Sequence, residues 1–184
     1  MSAPRPPLEV AVHFIKYLTQ FRENRGALAN LRAAFSETRR HRAWPLLGGF
    51  TPAIGNARYE LVAALWAADA ESHGPDQNLG ATLHKLAAEN NSFEGRFKRV
   101  LTADREEVPN LVAPLVRAAQ AKGAHVHYAR LLSDLLCWGD YVKVEWARTF
   151  WGSDASVSAA SAGVDPVLFD TPEDETAATS KEAP

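Results

Sequence analysis

Three side chains in the C-terminal half are of metal-binding type: His125, His127 and Cys137. Two histidines two residues apart on a helix do not share a face, so they are read as ordinary residues of a loop leading into a helix. Cys137 lies among Leu135, Leu136 and Trp138 with no base placed near it, and reads as a buried structural thiol. The adjacent pair Glu106 and Glu107 suits the first turn of a helix, where negative charge meets free N–H groups, better than it suits a general-base pair. There is no Gly-rich phosphate loop, no HExxH, no GxSxG and no acidic cluster with metal spacing. An enzyme is the least supported class, and neither a metal nor a cofactor is expected.

The arginines carry more information. Six lie between Arg22 and Arg42 (Arg22, Arg25, Arg32, Arg39, Arg40, Arg42) against Glu23 and Glu37, an excess of +4. Arg25 and Arg32 fall about 20° apart on a helical wheel, a linear pair flanking the Leu28, Leu31 and Phe35 stripe. A second group, Arg96, Lys98 and Arg99, sits in SFEGRFKRVL. Arg96 and Arg99 are neighbours three apart, off the Phe93, Phe97 and Val100 face. Arg130 is weaker, because Asp134 four residues on is placed to pair with it. Fourteen of the twenty basic residues are arginine, which fits bidentate phosphate contacts better than solubility alone. The ordinary alternative is that these stems lie over the core edge with their heads in water.

The elements that would hold these groups are helical. Leu8, Val12, Ile15 and Leu18 recur at helical steps, as do Leu79, Leu83 and Leu86, and Tyr128, Leu131, Leu132 and Leu135. Residues 57–70 read as one long helix with little exposed polar surface. Ser92 is placed as an N-cap and Asp104 as the next one. Pro109 falls near a first turn, Gly123 at a stop, and Gly139-Asp140 before a last helix carrying Val142, Trp146 and Phe150. Gly95 inside a helix costs about 0.5–1 kcal/mol relative to Ala, which points to a close backbone approach there or a later helix start. Trp44 to Gly55, crowded with Pro and Gly, is the least helical stretch and reads as a long connection anchored by Trp44, Leu46 and Phe50. Strand signals and internal repeats are absent. The fold expected is all-α, a compact bundle of about eight helices.

The chain has 184 residues and a formal charge of −2, which on its face disfavours a nucleic-acid partner. That charge is divided. From Gly152 onward there are seven acids and one base, Lys181, which leaves nineteen bases, fifteen acids and +4 in residues 1–151. Residues 1–151 are expected to form one helical domain and 152–184 a disordered acidic tail, most simply a solubilising appendage. One cysteine excludes an intrachain disulfide, no run approaches the ~20 apolar residues of a membrane span, and MSAPRPPLEV has no secretory h-region. A cytoplasmic protein is expected.

Four stretches resemble one family: RGALANLRAAF (25–35), SFEGRFKRVLTADREEVP (92–109), HYARLLSDLLCW (127–138) and VEWARTFW (144–151). The last two are the most specific, a YARLLxDLLxW helix followed shortly by WARxF. AWPLL (43–47) fits the family's connection after its second helix. Over most of residues 8–151 the chain resembles the small subunit of the type I-E CRISPR surveillance complex, the CasB-type protein of Cascade. It departs from the family pattern at Ala33, Gly95 and Ser133, where many relatives carry an arginine, and at Thr149, where an acid is common. Fewer bases imply weaker intrinsic binding.

The resemblance implies an all-helical, non-catalytic subunit that pairs head-to-tail with a second copy beside the backbone and large subunits. Its partners would be the guide RNA and the target DNA, with no membrane involved. Basic surface on the pair would stabilise guide–target pairing and the displaced strand. Carried over by motif position, nucleic-acid contacts are implied for Arg25, Arg32, Arg96 and Arg99, with Lys98, Arg130 and Arg148 in second rank. The residues alone leave two other readings open: a free-standing helical nucleic-acid-binding protein, and an adaptor whose basic face meets an acidic protein.

Overall fold

A helix with charge only at Arg58 and Glu60, near its start, lies at the centre. The structure, a computed structural model, describes the backbone of residues 6–161 and the side chains of 7–152, in both cases without His73 and Asn91. Among the described residues there are nine α-helices, four short 3-10 turns and no strand. In chain order the helices are α1 (Pro6–Leu18), α2 (Arg25–Arg32), α3 (Trp44–Leu47), α4 (Ala57–Ala68), α5 (Leu79–Ala87), α6 (Ser92–Thr102), α7 (Val108–Ala121), α8 (Tyr128–Leu136) and α9 (Asp140–Ser161). Every residue of α4 from Tyr59 to Ala67 is buried, as expected of a helix without an exposed polar stripe. Glu60, the charged member of that run, is held by Arg40, Trp44 and the Gly55 N–H. It packs against α2, α7 and α8. Around it α1 lies on α8, α5 on α9, and α6 on α5 and α7.

Two aromatic clusters fill the space between these layers. Phe14 meets Phe50 and Tyr59 edge-on, each with centroids 5.0 Å apart. At the other end Phe97 stacks on Phe150 at 4.3 Å, and Trp138 meets Trp146 edge-on at 5.0 Å. Asparagine side chains start three of the helices: Asn24, Asn56 and Asn78 accept from the N–H groups of Ala27, Arg58 and Ala81.

Several expectations need correction. The stretch from Trp44 to Gly55, read as the least helical part of the chain, holds the short helix α3 and a 3-10 turn at Thr51–Ala53. Pro45 sits in the first turn of α3, where its missing N–H costs nothing. Leu47 is its fully buried anchor, whereas Trp44 is 37% exposed. On α1 the buried line is Ala11, Phe14 and Leu18, with Phe14 entering the first aromatic cluster, and Val12 is turned outward. Ser92 is the first residue of α6 rather than its cap, its N–H donating to Asn90 Oδ1. Asp104 caps the turn before α7, accepting from the N–H groups of Glu106 and Glu107. Gly95 lies within α6, yet a Cβ there would meet nothing within 4 Å. Neither close approach nor a late start explains it.

The backbone of α9 stays helical through Gly152 to Ser161. Most of the expected tail, residues 162–184, lies outside the described residues. Among the described residues no helix is long and apolar enough to cross a membrane.

Candidate nucleic-acid interface

Helix α2 begins at Asn24, whose carboxamide caps it, and buries Ala27 and Leu31 against α4. That packing turns the opposite edge outward, and Arg25 and Arg32 are both exposed on it. Helix α6 does the same with Phe93, Phe97 and Val100 buried and Arg96 and Arg99 exposed. Among the described residues none of these four arginines is paired with an acid. The two pairs sit on different elements, since α2 packs on α4 and α6 on α5 and α7.

The second-rank residues are engaged. Lys98 Nζ lies 2.7 Å from Glu94 Oε1 and 5.9 Å from the centroid of Trp151. The Lys98 ammonium holds the Glu94 carboxyl below its ordinary pKa. Arg148 pairs with Glu145 at 3.0 Å. Arg130 faces Asp134 at 3.6 Å, and this carboxylate is buried and also accepts from Trp146 Nε1 at 2.7 Å. An anion meeting Lys98 or Arg148 displaces only a solvent-screened surface pair, which costs little. At Arg130 it competes with a buried carboxylate that would be left short of a partner.

The arginine-rich segment divides in a way that spacing on a helix does not reveal. Arg40 is drawn to Glu60, its Nε 3.0 Å from Oε2, and that buried carboxylate also accepts from Trp44 Nε1 and the Gly55 N–H. This network fastens the Arg39–Gly55 connection to α4. Arg39 and Arg42 stay exposed, on a turn packed against α2 and the Ala33–Phe35 turn. On α7, Arg117 lies 5.2 Å from the Phe35 ring centroid. Arg39 and Arg42 contributed to the charge count of the segment but were not singled out. Arg117, 82 residues from Phe35 in sequence, had no local signal. Of the departures from the family pattern, Ala33 and Ser133 are buried, so in this fold neither is a place for a surface cation. Thr149 donates to Asn78 Oδ1 at 2.7 Å and ties α9 to the start of α5.

The metal-type residues do not converge, and among the described residues no group of three His, Cys, Asp or Glu is placed to hold an ion. His127 caps α8, its Nδ1 accepting from the Arg130 N–H, and His125 Nδ1 is hydrogen-bonded to Ser72 Oγ. Cys137 is exposed rather than buried. It ends α8 on the side away from Tyr128, Leu131, Leu132 and Leu135, which face the core.

Fold and surface together define an all-helical protein that displays, among the described residues, unpaired arginines on the outer edges of two helices. The chain belongs to the family of the CRISPR-associated protein Cse2, whose model matches residues 27–151. A Cse2 protein of Thermus thermophilus is 36% identical over 99 residues, 52% of this chain and 57% of that relative. The chain thus matches rather more than half the length of this curated relative. The crystal structure of a Cse2-family CRISPR-associated protein from the same organism superposes with a TM-score of 0.64 at 29% identity, covering 77% of this chain and 97% of that one. A chain from a CRISPR RNA-guided surveillance complex shares the fold, with a TM-score of 0.70 at 21% identity over 84% of this chain and 98% of its own.

Proposed function

We propose that this chain is a non-catalytic, cytoplasmic subunit of a CRISPR RNA-guided surveillance complex. Its arginine-bearing helices contact the nucleic-acid backbone and so stabilise guide–target pairing and the displaced DNA strand. The observation that carries this reading is that the four arginines nominated from the sequence, Arg25, Arg32, Arg96 and Arg99, are exposed and unpaired among the described residues on a chain of the Cse2 family. Lys98 and Arg148 follow once their surface partners are exchanged for phosphate, and Arg130 comes last. The partners are the backbone and large subunits, the guide RNA, the target DNA and a second copy placed head-to-tail.

The mechanism is electrostatic and geometric. Replacing a DNA duplex by an RNA–DNA heteroduplex is nearly balanced in free energy, so modest backbone contacts tip it. Each neutralised phosphate releases condensed counterions, and no base is read because guide pairing supplies the sequence. The test is Arg25→Ala with Arg32→Ala in the assembled complex. Target DNA should be held more weakly while the subunit's melting temperature stays unchanged. Wild-type affinity in the double variant would sink the interface.

A further inference from the structure

At the start of α4 a cleft holds two adjoining cavities of about 480 and about 310 Å³, which have the walls Ala57, Glu106 and Pro109 in common. Each falls in the ordinary range of small-molecule sites. Their linings differ in chemistry. The larger holds Arg58 and Arg105. The smaller holds Phe35 and Asn110 together with the carboxylates of Glu37, Glu60 and Glu106, of which Glu60 is paired with Arg40. These are acceptors for the amino edge of a base rather than for phosphate. One end therefore suits an anion and the other a planar group with polar edges.

The arginines are held in place before any ligand arrives. Arg58 donates to the Arg105 carbonyl at 2.8 Å, and Arg105 donates to the Leu136 carbonyl at 2.8 Å. Pre-positioned groups lose little freedom on binding. The acid set against them is Glu106, whose carboxylate is 3.6 Å from Arg58 and whose side chain is 91% exposed. It can swing out at little cost. At the other end the half-buried Phe35 ring carries Arg117 at 5.2 Å. Phe35 also closes the turn that follows Arg32 at the end of α2.

We infer that this cleft seats one nucleotide, its phosphate on Arg58 and Arg105 and its base against Phe35 and Asn110. The inference rests on the nucleic-acid reading and adds a site that handles a single unpaired unit rather than a backbone. Neither a duplex, whose bases are stacked inward, nor phosphate alone uses both ends.

Titration calorimetry of the full chain with 5′-AMP, a short oligothymidylate and inorganic phosphate tests it. A nucleotide should bind at least about tenfold more tightly than phosphate, base stacking supplying the difference. Arg105→Gln should weaken AMP by about tenfold and Phe35→Leu by about fivefold. Glu106→Gln should strengthen it about twofold by removing the competing carboxylate, a gain that misfolding cannot produce. Tighter binding of the oligothymidylate than of AMP, lost in Phe35→Leu but kept in the Arg25→Ala, Arg32→Ala variant, assigns the seat to a strand, and the reverse order to a free nucleotide. Equal binding of phosphate and AMP, no binding of either nucleotide, or indifference to these three substitutions would overturn the seat. The Arg25→Ala, Arg32→Ala variant should leave AMP binding unchanged. If that variant weakens the complex while AMP fails to bind, the seat falls and the interface stands.

Discussion

Two helical glycines separate what the chain tolerates from what it requires. A Cβ at Gly80 would run into the Trp146 carbonyl and the Thr149 hydroxyl, whereas one at Gly95 would meet open space. Both replacements by Ala gain about 0.5–1 kcal/mol from helix propensity. At Gly80 the obstacle is backbone, which cannot rotate away, so overpacking of about 1–3 kcal/mol wins. Gly95→Ala should raise the denaturant midpoint and Gly80→Ala should lower it, both read from urea unfolding curves. Tyr128 gives a pH-dependent counterpart. Burial pushes its hydroxyl well above the ordinary tyrosine pKa of 10.0, while Gln120 donates to it and it donates to Asp69. A raised folded-state pKa contributes stability that is complete below about pH 10 and declines as pH rises above it. Tyr128→Phe should flatten that decline above pH 10 in unfolding measurements, leaving the smaller share from Tyr59, which burial also raises.

Between elements, the contact with most at stake is α9 on α5 and α8. Trp146 is fully buried, lies against Trp138 and Phe97, and donates to the buried Asp134. Trp146→Ala should destabilise by about 3–5 kcal/mol through lost packing. Trp146→Phe keeps much of the packing but leaves Asp134 with one partner fewer, a cost of about 1–3 kcal/mol. A melting temperature within error of wild type for the Ala variant would refute the anchoring role of α9. The Glu60 network adds polar fastening to the Arg39–Gly55 connection, which has α3 as its only α-helix and is also anchored by buried Ala43, Leu47 and Ala53.

For the whole molecule, the charge of −2 is a sum over unlike parts. Residues 1–151 carry +4, and folding reduces the number of free cations further by giving Arg40, Arg58, Lys98, Arg130 and Arg148 acidic partners. What remains among the described residues is a modest set of unpaired arginines, suited to assisting a complex rather than binding tightly alone. If about four phosphates are neutralised, log K for target DNA should fall with log[salt] at a slope of roughly −3 to −4. Removing Arg25 and Arg32 should make that slope shallower by about 1.5–2, measured by filter binding between 50 and 200 mM salt. An unchanged slope would mean that these two arginines touch no phosphate.

Much of this was legible in order along the chain. Helical stripes such as Leu79, Leu83 and Leu86 repeat at a local period, so the all-α fold and the outward edges carrying Arg25 and Arg32 follow from spacing alone. The Arg130–Asp134 pair was legible for the same reason, being one turn apart. What spacing cannot supply is a partner far away in sequence. Arg40 loses its freedom to Glu60, 20 residues on, and Arg117 finds Phe35 across the bundle. Cys137, surrounded by apolar neighbours in sequence, is exposed because the end of α8 turns it away from them. The sequence alone determined that the chain is helical, where the longer helices lie and which of their edges are basic, since these depend on contacts within a few residues; α3, too short to show a period, was not legible. Tertiary structure decided which arginines stay unpaired and where a cleft opens, because burial and ion pairing depend on which distant helices meet.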